Sequence, residues 1–121
     1  MSTQLQIERK DNWVVARLSG VADIEKAHAR FEEIAQACDR MSTKRLIVDV
    51  TNAALPLSAT DKFEMGRHAV VFAQHGIKVA VVATPDQLDP ERFGEVVARN
   101  RGVNIRLFTD VEAAEEWLAT E

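Results

Sequence analysis

Three short runs of apolar, largely β-branched residues, each followed by a stretch with helical spacing, constrain this chain most. Arg45 to Val50, Ile77 to Ala83 and Val103 to Phe108 are too short for buried helices and read as buried strands. Helices between such strands imply right-handed crossovers and a largely parallel sheet. Ahead of them, Leu5 to Glu8 alternates apolar and polar residues, and Trp13 to Leu18 is β-rich. Lys10-Asp11-Asn12 supplies turn residues between the two, so they read as a hairpin with its first strand antiparallel at a sheet edge. Ser19-Gly20 closes the second strand.

The helices have their own punctuation. Asp23 offers an N-cap, and Ile24, Ala27, Phe31, Ile34, Ala35 and Cys38 trace one apolar stripe behind it. A loop from Thr51 to Leu57, with Pro56, leads to a second helix starting at Ser58 or Thr60 and ending at Gln74. Ser58 and Asp61 resemble a capping box, and His75-Gly76 stops the helix. Asp89-Pro90 begins a third helix, whose apolar face is Phe93, Val96 and Val97 and whose end is Asn100-Arg101-Gly102. Thr109 and Glu112 form a capping box for the last helix, which buries Ala113, Ala114, Trp117 and Leu118. The expected order is ββαβαβαβα: an α/β domain over residues 1–121, built on a mostly parallel mixed sheet.

Strand alternation divides that sheet unequally. Val14, Ala16, Leu18, Leu46, Val48, Val50, Val79, Val81, Ile105 and Leu107 share one face, while Arg17, Arg45, Asp49, Lys78, Asn104 and Arg106 fall on the other. A sheet buried on both sides does not tolerate that second set easily, so the helices are expected mainly on one face.

Composition excludes several functions. The formal charge is -4 and the longest basic cluster is Lys44-Arg45, which argues against a nucleic-acid partner. Cys38 is the single cysteine, so no internal disulfide forms, and its place on a helical stripe suits a small buried hydrophobe. The N-terminus has no charged segment leading into an apolar one, and no apolar run approaches a membrane span, so a cytoplasmic protein is expected. His28, His68 and His75 lack ligand spacing, and no glycine-rich nucleotide loop exists, so neither metal nor cofactor is expected. Asp49, His68 and Ser58 assemble a hydrolytic set only on paper, because no nucleophile-elbow pattern surrounds Ser58. The chain is therefore not expected to be an enzyme.

One region carries surplus apolar residues. Ala53-Ala54-Leu55-Pro56-Leu57 is a strongly apolar loop, although loops usually lie on the surface. The helix after it shows two adjacent stripes, Phe63, Gly66, Val70 and Ala73 beside Met65, Ala69 and Phe72. So wide an arc means a deeply buried helix, a pocket wall or a homodimer contact. The candidate ligand-binding residues are Leu55, Leu57, Phe63, Met65, Ala69 and Phe72. Gly66, in mid-helix, signals close packing.

Several segments together resemble the SpoIIAA-like branch of the STAS-domain superfamily. They are Trp13-Val14-Val15 with Leu18-Ser19-Gly20, the run Arg45 to Thr51, the run Ile77 to Val82, and Phe108 to Leu118. The likeness extends over nearly the whole chain. It implies a regulatory or ligand-binding module without catalysis, of which two kinds are known. SpoIIAA-like proteins are associated with a small apolar ligand or lipid, and with peripheral membrane contact. Anti-sigma-factor antagonists instead bind a regulatory protein, and phosphorylation of a serine before the second helix switches that binding. The matching segment here is Leu57-Ser58-Ala59-Thr60, which lacks the leading Asp and the Gly of the usual Asp-Ser-Ser-Gly. Ser58 is thus a candidate phosphorylation site that also has an ordinary role as a helix cap.

Overall fold

In a computed structural model the structure describes residues 4–54, 58–88 and 91–120. Leu55, Pro56, Leu57, Asp89 and Pro90 lie outside the described residues, and with them two of the candidate ligand contacts and the expected start of the third helix. Five strands form one sheet in sequence order: β1 (Gln4–Lys10), β2 (Trp13–Val21), β3 (Arg45–Ala54), β4 (Lys78–Val82) and β5 (Asn104–Phe108). The β1–β2 pair is antiparallel and the other three pairs are parallel. Asp11, at a φ of 56°, turns the hairpin. Helix α1 (Ala27–Arg40) joins β2 to β3, α2 (Ala59–His68) and α3 (Val70–Gln74) join β3 to β4, and α4 (Phe93–Asn100) joins β4 to β5. Helix α5 (Val111–Ala119) follows the last strand.

This topology explains the lopsided sheet. Strands added one after another in the same direction, each by a right-handed crossover, put every crossover helix on the same side. Only α5 is free of that constraint, and it takes the opposite side. Val14, Ala16, Leu46, Val48 and Val79 pack under α1 to α4 in the main core, with Ile34, Cys38 and Phe72 above them. Trp13, Val15, Ile47, Ala80 and Val82 form a second core with Ala114 and Leu118 of α5. Lys78, expected among the polar residues of that face, secures the helix. Its ammonium donates to the Trp117 and Thr120 carbonyls at 2.6 and 2.8 Å and lies 4.5 Å from the centre of the Trp117 ring. A cation at a helix C-terminus satisfies carbonyls that have no partner within the helix.

Several boundaries differ from the sequence-based expectation. Strand β2 runs past Ser19-Gly20 to Val21, and β3 runs past Val50 to Ala54, through residues expected to be loop. The pairing slips between Arg17 and Ser19, which face Asp49 and Asn52 respectively, so β3 carries an extra residue there. The bulge puts Val50 and Ala53, three apart, in the same core and breaks the two-residue period that marks a strand. Asp49 stabilises the bulge, its Oδ1 accepting from the Thr51 N–H at 2.9 Å and the Thr51 hydroxyl at 2.6 Å.

The helices are adjusted too. Asp23 caps a 3-10 turn, Ile24–Lys26, before α1 begins at Ala27. The single second helix expected from Ser58 to Gln74 is divided at Ala69, whose carbonyl accepts from the Phe72 N–H at 3.0 Å. After that division the neighbouring Val71 and Phe72 are both buried. Helix α4 starts at Phe93 after Arg92, whose φ of 49° is left-handed. Of the expected face of α4, Val97 is buried but Val96 is exposed, and Glu95 and Ala98 are buried beside Val97. Asp110, and not Thr109, caps α5 by accepting from the Glu112 N–H at 3.1 Å.

Candidate functional site

Between the sheet and the α2–α4 pair lies a cavity of about 180 Å³. Val48, Val79, Val81 and Ile105 form its floor. Met65, Gly66, Ala69 and Phe72 roof it from α2 and α3, and Gly94, Glu95 and Ala98 roof it from α4. The space follows from how the two helices meet. A Cβ on Gly66 would stand 2.6 Å from the Gly94 carbonyl oxygen and 2.8 Å from the Val97 Cβ, so the helices touch through glycine. Small residues permit that approach, and Ala69 and Ala98 send too little side chain downward to reach the sheet.

Three of the six candidate ligand residues, Met65, Ala69 and Phe72, line this space. Phe63 does not, and its ring lies 5.2 Å from the Arg101 guanidinium instead. Leu55 and Leu57 are outside the described residues.

Among the described residues two polar side chains reach the cavity wall, Gln87 and Glu95. Gln87 stands where β4 has ended and β3 continues. Its amide nitrogen donates to the Val50 and Ala53 carbonyls at 2.7 and 2.8 Å, and its oxygen accepts from the Thr84 N–H at 2.8 Å. A side chain thus supplies the hydrogen bonds a neighbouring strand would have made. The Glu95 side chain is 6% exposed and its Oε1 is 3.8 Å from the Arg92 guanidinium. Its Oε2 accepts from the Leu107 N–H at 3.2 Å, on the edge strand β5. Neither residue stood out in the sequence, although Glu95 lies three positions before Ala98 and so near the buried stripe of α4.

Ser58 is exposed at the N-cap of α2. Its hydroxyl accepts from the Asp61 N–H at 3.1 Å, and Asp61 Oδ2 accepts from the Ser58 N–H at 3.1 Å. The expected capping box is present with Asp in the place of Glu or Gln.

The residues of the hydrolytic set are not brought together. Asp49 points to the α5 side of the sheet and serves the bulge, while Ser58 is engaged with Asp61. His68 is held on α2 by Glu64 at 3.7 Å and meets the His28 ring at a centroid distance of 5.3 Å. Burial, followed by the nearby Arg67 and His28 charges, holds the His68 imidazole below its usual pKa, and Glu64 opposes this. His28 pairs with Glu32 at 3.0 Å on an exposed surface. Among the described residues no group of three or more His, Cys, Asp or Glu side chains could hold a metal ion. Cys38 is buried in the main core, and burial, with Asp39 beside it, pushes its thiol up to about 11 against the pull of Lys44. No helix among the described residues is long and apolar enough to cross a membrane.

The chain matches no protein-family model and no curated protein sequence. Solved structures do resemble it. An anti-sigma factor antagonist from Mycobacterium paratuberculosis matches with a TM-score of 0.66 at 16% identity, over 98% of this chain and 96% of that one. A protein with a SpoIIAA-like fold from Shewanella loihica matches with a TM-score of 0.56 at 19% identity, over 97% and 94%. The antagonist SpoIIAA in its unphosphorylated form matches with a TM-score of 0.55 at 14% identity, over 97% and 100%. The fold is SpoIIAA-like. At such identities the likeness concerns the arrangement of the backbone and leaves the chemistry of the site to its own residues.

Proposed function

We propose that this chain is a non-catalytic regulatory protein that binds a partner protein as anti-sigma factor antagonists do, with Ser58 in the contact. The observation that carries this reading is an exposed serine at the N-cap of the helix after the third strand, in a SpoIIAA-like fold. A phosphate on Ser58 would meet the positive end of α2, where anions are stabilised. It would also sit against the Asp61 carboxylate and break the capping box. Modification therefore changes both the charge and the local backbone at one exposed point, which suits release of a partner. The test is retention of a recombinant anti-sigma factor on the immobilised chain. The wild type should retain it and Ser58→Asp should release it; equal retention by both refutes the reading.

A second reading rests on the cavity beneath α2 and α4. An apolar space of about 150 Å³ is known to stay dry and to take up benzene. A cavity of about 180 Å³ with almost wholly apolar walls therefore suits a small apolar molecule. Benzene titrated into the chain should raise its melting temperature, and an unchanged melting temperature at saturating benzene sinks this reading.

A further inference from the structure

The donors and acceptors on the cavity wall set the chemical class of its occupant. Gln87 has no donor to offer, because both hydrogens of its amide nitrogen go to the Val50 and Ala53 carbonyls, and its oxygen, bonded to the Thr84 N–H, keeps one acceptor position. Glu95 differs. A carboxylate has about four acceptor positions, of which Oε2 spends one on the Leu107 N–H. Oε1 has the Arg92 guanidinium only at 3.8 Å, beyond hydrogen-bond length. The remaining wall residues, such as Val79, Ala98, Ile105 and Phe72, contribute no side-chain polar atom. Among the described residues the free side-chain polar capacity of the site is thus all acceptor, most of it on Glu95, whose side chain is only 6% exposed.

From this we infer that the cavity takes a small molecule with an apolar body and a hydrogen-bond-donating head, an alcohol or an amine, and that Glu95 rejects carboxylates of the same size. The inference rests on the second reading above, that the cavity holds an apolar ligand at all. A carboxylate head brings only acceptors and a negative charge to a wall that already carries both. Set against Glu95 it finds no side-chain donor on the described wall and a like charge beside it, which disfavours it. An alcohol or ammonium head meets Glu95 with a donor and recovers the hydrogen bond it lost on leaving water. The volume limits the body to about six to eight non-hydrogen atoms.

The test is titration of the isotope-labelled chain with benzene, hexan-1-ol, hexylamine and hexanoate, followed by amide NMR, at about pH 7.5 where hexanoate is fully ionised. Benzene, hexan-1-ol and hexylamine should shift the amides of Val79, Ala98 and Ile105. Hexanoate should bind at least about tenfold more weakly than hexan-1-ol. Glu95→Gln should close most of that gap, because Gln keeps an acceptor for the Leu107 N–H while removing the charge. If this variant does not fold, the ranking in the wild type decides. Hexanoate binding as tightly as hexan-1-ol in the wild type overturns the inference while the cavity reading stands. No binding of any of the four, benzene included, overturns the cavity reading and this inference with it.

Discussion

The two faces of the sheet are covered by unequal means, and the larger cover packs less well. Four crossover helices lie over one face and leave a cavity beneath them. A single nine-residue helix, α5, covers part of the other face with large side chains and is secured by Lys78. The difference lies in what each helix packs against. Helix α5 has no neighbour on its side, so it settles onto the sheet alone. Helices α2 and α4 meet each other through Gly66 and Gly94, and that contact fixes their height above the strands. Helix-to-helix contact and helix-to-sheet contact compete for the same side chains, and here the former wins.

The largest effect that would break this contrast belongs to the small cover. Leu118 is fully buried under α5. Leu118→Ala should cost about 2–5 kcal/mol, because the site can collapse only partly. Urea unfolding would measure it, and a loss under 1 kcal/mol would mean that α5 is not packed as tightly as described. Both tryptophans, Trp13 and Trp117, belong to the α5 core, so their fluorescence reports on this face alone.

Next comes the contact between helices. Gly66→Ala forces the helices apart or bends α4, since the Gly94 carbonyl in its way is backbone and cannot swing aside; overpacking of this kind costs about 1–3 kcal/mol. A neutral result would show that α2 and α4 separate freely. Ala69→Leu, which sends side-chain volume into the cavity, should instead change stability by less than about 1.5 kcal/mol and abolish benzene binding. A larger loss would mean that there is no space to fill.

The smallest effects are local. Ser58→Ala removes one half of the capping box and should cost about 1 kcal/mol, read from the shift in urea midpoint. Cys38 lies in the main core with its thiol pushed up to about 11. Its folded pKa is raised, so the stability it contributes is present below the pKa of an unfolded thiol and is lost as pH rises towards about 11. At pH 8, alkylation by iodoacetamide should be far slower in the folded than in the unfolded chain. Rapid labelling of the folded chain would show that the four-helix face opens often, which would sharpen the contrast with α5.

Much of this was legible in the residues. The buried strands could be read from apolar runs, the Ser58–Asp61 box from its spacing, and the end of the second helix from His75-Gly76. Met65, Ala69 and Phe72 could be picked out as one stripe. The bulge in β3 was not legible, because an extra residue erases the alternation by which a strand is recognised. Glu95 and Gln87 were missed because a lone polar residue near an apolar stripe usually faces solvent, and only its partners reveal otherwise.

The sequence by itself determined the order of strands and helices, and with it the side of the sheet on which the crossovers lie, because local periodicity and the handedness of the chain are properties of short segments. The tertiary structure alone decided that α2 and α4 meet through glycine, that the space below them stays open, and that Glu95 faces it. Those depend on distances between segments far apart in the chain, where a single missing Cβ changes how closely two helices approach.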